Sequence, residues 1–186
     1  MHLIDVPKGV CLERPWVTLI VDQSSEMALG YHLSVATPSA ASVLAALRHV
    51  ILRKPRPSAD VPKSIGMDAS MWPAYGIPDL LVVNRGTDLT SFGLREACAA
   101  RGIELLFASP HSPSYKGTIE RLGRTINTRL VHSTPETTVG TPTTDLGYSG
   151  AEHATITLRD FEQLVVQYIT TIHNKTPRRG ENGTPE

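Results

Sequence analysis

Long apolar runs are missing from this 186-residue chain. None approaches the roughly 20 residues that a bilayer-spanning helix requires, so membrane insertion by helices is excluded. The N-terminal stretch Met1-His2-Leu3-Ile4-Asp5 lacks the basic-then-apolar build of a secretory signal. Cysteine is scarce as well. Cys11 and Cys98 are the only two, they lie far apart, and no CxxC-type pattern exists. Both read as reduced packing residues of a cytosolic protein rather than a disulfide or zinc framework. The seven histidines (2, 32, 49, 111, 132, 153 and 173) are scattered without zinc-ligand spacing. An excess of either charge is also absent, because 18 basic and 18 acidic residues cancel. A protein that grips nucleic acid by charge alone is usually basic, so the balance counts against that mode. It leaves open a chain whose metal-binding carboxylates offset its lysines and arginines.

What is present suits one soluble α/β domain: 40% hydrophobic and 19% charged residues, with enough length to bury a core unaided. Residues 2–6 form a short strand. Trp16-Val17-Thr18-Leu19-Ile20-Val21 is a β-branched run, and residues 28–35 resume the apolar pattern after the polar tip Asp22-Gln23-Ser24-Ser25-Glu26. The pair predicts a hairpin whose tip holds Asp22 and Glu26. Ser39 opens a helix with Val43, Leu44, Leu47, Val50 and Ile51 on one face. Residues 55–79 hold five prolines and read as a connection. Leu80-Leu81-Val82-Val83 is a fully apolar strand ending at Asn84-Arg85-Gly86. A helix from about residue 91 turns Leu94, Ala97 and Cys98 inward and stops at Gly102. Ile103-Glu104-Leu105-Leu106-Phe107 is the next strand, and residues 111–114 form a polar loop. From Lys116 to about residue 132, Ile119, Leu122, Ile126 and Leu130 share a helical stripe. Residues 133–156 are irregular. Thr157 and Asp160 then cap a last helix with Phe161, Leu164, Val165, Tyr168, Ile169 and Ile172 inward. This order predicts a mixed sheet with helices packed on its faces, an architecture shared by many chemistries.

The chemistry lies between residues 78 and 127. The strand 80–83 delivers Asn84 at its C-terminal tip, and Lys116-Gly117-Thr118-Ile119-Glu120-Arg121 begins a helix 36 positions later, counted from Asn84 to Glu120. With Arg14-Pro15-Trp16, Gly76-Ile77-Pro78, Trp72-Pro73 and His173-Asn174, this segment resembles the catalytic core of retroviral integrases and bacterial DDE transposases, particularly those related to the phage Mu transposase.

The resemblance implies an RNase H-like α/β fold: a mixed five-stranded sheet with helices on both faces, spanning residues 1–176, with 177–186 as a linker to a further region. It implies a polynucleotidyl transferase of the bacterial cytoplasm that cleaves DNA ends and joins them to target DNA, working as a homo-oligomer. Two Mg²⁺ or Mn²⁺ ions would be held by Asp5, the residue-84 position and Glu120. In-line displacement at phosphorus suits two cations about 3.5–4 Å apart, and hard cations require oxygen ligands. Lys116 and Arg124, on the side of Glu120, are the candidate phosphate contacts. Tyr115 and His111 are the further candidates for touching DNA; Arg121 is left even between a solvated face and a DNA contact.

Two features depart from the family. Asn84 stands where the second aspartate is expected, which predicts weak metal binding and impaired activity. An engineered change, a decayed copy and a variant using Asp88 all account for it. Asp5 ends a strand one hairpin away from Asp22, but Val6-Pro7 follows it rather than the family's Asp-x-Thr pattern. Either Asp5 is the first ligand or that ligand lies upstream of residue 1. A catalytically inactive domain that binds DNA or assembles with a partner, and a nuclease without joining activity, are the rival readings.

Overall fold

The computed structural model describes residues 3–5, 10–12, 15–54, 72–84, 92–108, 113–126 and 157–176, with side chains from 15–54, 72–84, 92–108, 120–126 and 157–176. Strands β1 (Leu3–Asp5) and β2 (Val10–Leu12) pair antiparallel. β3 (Trp16–Val21) and β4 (Ala28–Ser34) form the expected antiparallel hairpin, with a register shift between Ile20 and Val21. Helix α1 (Ala40–Ile51) follows, then β5 (Leu80–Asn84), α2 (Phe92–Ala99), β6 (Glu104–Ala108), α3 (Pro113–Ile126) and α4 (Leu158–Tyr168). β5 and β6 are parallel neighbours, from Leu80 opposite Glu104 to Asn84 opposite Ala108. Among the described residues, ladder hydrogen bonds give three two-stranded sheets.

Two apolar clusters tie these pairs together. On β3 the side chains alternate between them, as a pleated strand requires. Ile20 packs with Val43 and Leu47 of α1, Leu81 and Val83 of β5, and Leu94 and Cys98 of α2. Val17, Leu19 and Val21 pack instead with Leu122 and Ile126 of α3 and with Phe161, Val165 and Tyr168 of α4. The hairpin is therefore covered by α1 on one face and by α3 and α4 on the other. Because Val43 and Leu47 of α1 share a cluster with Leu81 and Val83 of β5, one apolar layer serves the hairpin and the parallel pair together. Burial raises the Cys98 thiol pKa, in keeping with a packing role; the side chain of Cys11 lies outside the described residues.

Local signals explain the helix ends. Ser39 and Ser42 make a reciprocal capping box at the start of α1, and Thr157 with Asp160 does the same for α4. Gly102, at φ +70°, closes the turn between α2 and β6 in a conformation that favours glycine. Gly30 has a different reason. A Cβ there would lie 2.7 Å from Val50 Cγ2 and 3.0 Å from the Ala46 carbonyl oxygen, so β4 and α1 approach as closely as their backbones allow. Gly30→Ala is expected to destabilise the protein by about 1–3 kcal/mol through overpacking, read from urea unfolding.

The last helix departs from expectation at its end. Residues Ile169–His173 form a π-helical turn, with the Asn174 N–H donating to the Ile169 carbonyl at 2.9 Å. The wider turn inserts an extra residue. It rotates Ile172 outward, to 43% exposure, and brings His173 and Asn174 into the interior. The 3.6-residue period had assigned Ile172 to the core. Trp72 is likewise buried, although its Pro-rich surroundings read as a connection. It stacks on Tyr31 with centroids 5.9 Å apart and meets His49 edge-on at 5.2 Å.

That aromatic cluster carries a pH dependence. His49 Nδ1 accepts the Tyr31 N–H at 3.4 Å. Burial, and then the Lys54 charge, lower its pKa from 6.5 to about 4. The folded value lies below the unfolded one, so the unfolded chain binds the extra proton between those limits and stability falls as pH drops through them. The loss is expected to be on the order of 1–2 kcal/mol after allowance for solvent screening. Thermal unfolding of the protein and of His49→Gln across that window checks it, since the variant should lose less.

Candidate metal centre and nucleic-acid face

The parallel pair sets the position of the candidate centre. β5 presents alternate faces: Leu81 and Val83 point into the core beneath α1 and α2, and the strand ends at Asn84, which is exposed. Because Asn84 pairs with Ala108, the C-terminal ends of β5 and β6 share one edge. Five positions after Ala108 the described chain resumes as α3 at Pro113, the helix that bears Glu120. Glu120 lies seven residues into α3, about 10 Å along its axis. It is exposed, as are Arg121 and Arg124, whereas Leu122 and Ile126 are buried and fix the inward face of the helix.

Asp5 is the last residue of β1, opposite Val10. Among the described residues, no ladder hydrogen bond joins β1 to the strand of Asn84, and β1 has α4 as a neighbour. Lys116 and Tyr115 lie in the first turn of α3 by their backbone; their side chains, and all of His111, are outside the described residues. Asp88, the proposed substitute ligand, is also outside them. In kind, the donors fit a hard divalent cation, for Asp5, Asn84 and Glu120 all offer oxygen. In charge they fall short, because Asn84 contributes an amide. Among the described residues, no group of three or more His, Cys, Asp or Glu side chains converges on one point.

Asp22 proves to be a turn residue. Its Oδ2 accepts from both the Ser25 N–H and the Ser25 hydroxyl, each at 2.7 Å, which holds the β3–β4 tip. Arg121, left even by the sequence, has a structural engagement: its Nη1 lies 3.2 Å from Glu26 Oε2. The pattern of residues gave no sign of this pair, whose members are 95 positions apart. Nor did it foretell how the end of the last helix grips the hairpin. His173 Nε2 lies 3.0 Å from the Glu26 carbonyl oxygen, and the Asn174 side chain both accepts from the Ala28 N–H and donates to its carbonyl. Tyr31 donates its hydroxyl to Glu162 at 2.8 Å, and burial, followed by the Glu162 charge and that hydrogen bond, raises its pKa. Lys54 is lowered to about 8 by burial against the Trp72 ring. These groups lie in the body of the fold and bind its layers together.

Among the described residues, no helix is long and apolar enough to cross a membrane. Comparison with known proteins matches residues 1–136 to the model of the TnsB C-terminal domain. Over 124 residues the chain is 28% identical to the transposase for transposon Tn552 of Staphylococcus aureus, an alignment that covers 67% of this chain and 23% of that protein. Over 162 residues it is 24% identical to the transposon Tn7 transposition protein TnsB of Escherichia coli, covering 87% of this chain and again 23% of the relative. The chain thus spans about a quarter of the length of these two relatives. With a family model matched over more than half its residues, and transposases as its relatives, the chain belongs to the TnsB C-terminal domain family.

Proposed function

We propose that this chain is the catalytic core of a bacterial DNA transposase, an RNase H-like domain of the DDE class, carrying asparagine at its second acidic position. The observation that carries the reading is that Asn84 ends β5 and Glu120 lies on the helix that follows its parallel neighbour β6 in the chain. Family membership and the transposase relatives support it. The α1 layer shared by the hairpin and the parallel pair, with helices on the hairpin's other face, is consistent with one mixed five-stranded sheet.

In this reading, Asp5, Asn84 and Glu120 are the oxygen ligands of Mg²⁺ or Mn²⁺. When bound, such ions activate the attacking oxygen and stabilise the leaving one in a phosphoryl displacement. Glu120 holds its carboxylate on a rigid helix anchored by Leu122 and Ile126, which keeps the ligand in place without help from solvent. Arg124 and Lys116, one turn to either side of Glu120, contact DNA phosphates and set its register. Tyr115 and His111 are the further proposed DNA contacts. The active form is a homo-oligomer on transposon ends and target DNA in the bacterial cytoplasm.

Asn84 itself favours a second reading: a domain of the same fold that binds DNA or a partner subunit without cutting. A single experiment separates the possibilities. Pre-cut DNA ends and a plasmid target are incubated with Mn²⁺ and either the protein or its Asn84→Asp variant. Joined products from the variant support the transposase. Hydrolysis without joining points to a nuclease, end-DNA binding alone points to an assembly module, and no interaction with DNA sinks all three.

A further inference from the structure

The β3–β4 tip joins the C-terminal segment to α3, and Glu26 makes both connections. Its carbonyl lies 3.0 Å from the buried His173 ring, while its carboxylate reaches Arg121, the residue after Glu120. The neighbouring Met27 and Ala28 belong to the cluster that also buries Leu122 and Ile126. Glu26 has φ +55° and is the one non-glycine residue with positive φ among the described residues. A left-handed backbone is unfavourable for a residue with a Cβ and open to glycine. A glutamate in that position implies that its side chain supplies something glycine cannot. The side chain is largely enclosed, at 21% exposure, whereas its partner Arg121 is at 64%. An ion pair that open contributes little to stability. Its effect is orientation. Leu122 and Ile126 anchor the inward stripe of α3, and Glu26 adds a second point of attachment beside the stripe, which biases the rotation of the helix about its axis.

We propose that Glu26, through Arg121, is a positioning residue that sets the rotation at which α3 presents Glu120 to a divalent cation. The proposal rests on the metal-site reading above. A pair that exposed can shift metal affinity by up to about fivefold when removed.

The test takes the Asn84→Asp protein as parent and measures Mn²⁺ affinity by water-proton relaxation, with thermal unfolding alongside. Glu26→Gly relieves the left-handed strain, so its Tm is expected to equal or exceed the parent's, while Mn²⁺ binding weakens about three- to fivefold. Arg121→Gln is expected to weaken binding to a similar degree. The double variant should then bind no more weakly than either single one, because the two side chains act through one another. Affinities within about twofold of the parent in both single variants overturn the proposal, as do additive losses in the double variant. If the parent itself binds no Mn²⁺, the metal-site reading fails and this proposal falls with it; if the parent binds and the Glu26 variants match it, only the proposal falls.

Discussion

Asn84→Asp is expected to raise DNA strand joining by about 100-fold or more over the chain as it stands, with Mn²⁺ binding tightened in step. The reason is electrostatic. Two adjacent dications repel each other, and the carboxylates around them offset that repulsion; an amide supplies a lone pair but no charge. The stabilisation such ions give to a phosphoryl transition state amounts to several kcal/mol, and each ~1.4 kcal/mol is tenfold in rate. A site short of one charged ligand therefore forfeits at least two powers of ten. Asp88→Asn, placed in both backgrounds, identifies any substitute ligand. It should leave the Asn84→Asp protein active within a few-fold. If the chain as it stands already joins DNA and Asp88→Asn abolishes that, the ligand is Asp88. If Asn84→Asp gains nothing, position 84 is not a ligand position and the assignment of the whole edge fails.

The legible parts of this sequence are those governed by short-range rules. The hairpin follows from a β-branched run, a polar tip and a second apolar run, and Trp16–Val21 pairs where that pattern put it. Helix α1 follows from Ser39 and the spacing of Val43, Leu47 and Val50, all three buried. The start of α4 follows from Thr157 and Asp160, joined by hydrogen bonds of 3.0 Å from the Asp160 N–H and 2.7 Å between side chains. The strand that ends at Asn84 and the helix that bears Glu120 follow the same local rules. What escaped lies outside local periodicity, and part of it depends on partners far along the chain. β2, only three residues long, is too short to show a period. Trp72 is buried because its Nε1 meets the Ala28 carbonyl, 44 positions away, and no local pattern encodes that. Ile172 and His173 exchange places because the helix widens by one residue at its end, a change that side-chain periodicity assumes away. Arg121 had equal odds as a DNA contact because its partner, Glu26, lies on a hairpin tip that meets α3 only in the folded chain.

Asn174→Ala should give the largest loss of stability of any single change considered for this protein, about 2–4 kcal/mol by urea unfolding. Asn174 is almost fully enclosed, at 1% exposure, and its side chain works as a short strand against β4. It accepts the Ala28 N–H at 3.0 Å and returns a donor to the Ala28 carbonyl at 3.4 Å. Truncation removes the acceptor and leaves the Ala28 N–H buried; an unmet buried donor costs about 1–3 kcal/mol, to which the emptied volume adds. The Ala28 carbonyl suffers less, because Trp72 Nε1 also donates to it at 2.9 Å. That redundancy makes a second, sharper expectation. Trp72→Phe alone keeps an aromatic ring and leaves the carbonyl served by Asn174, but it removes the indole N–H and part of the buried volume, so it should cost about 1–3 kcal/mol. Combining it with Asn174→Ala takes away both of these donors at once, and the double variant should lose more than the sum of the single losses by about 0.5–1 kcal/mol or more. Simple additivity in that cycle would mean that solvent reaches the Ala28 carbonyl once Asn174 is gone, and that the end of the last helix does not seal the hairpin as its geometry requires.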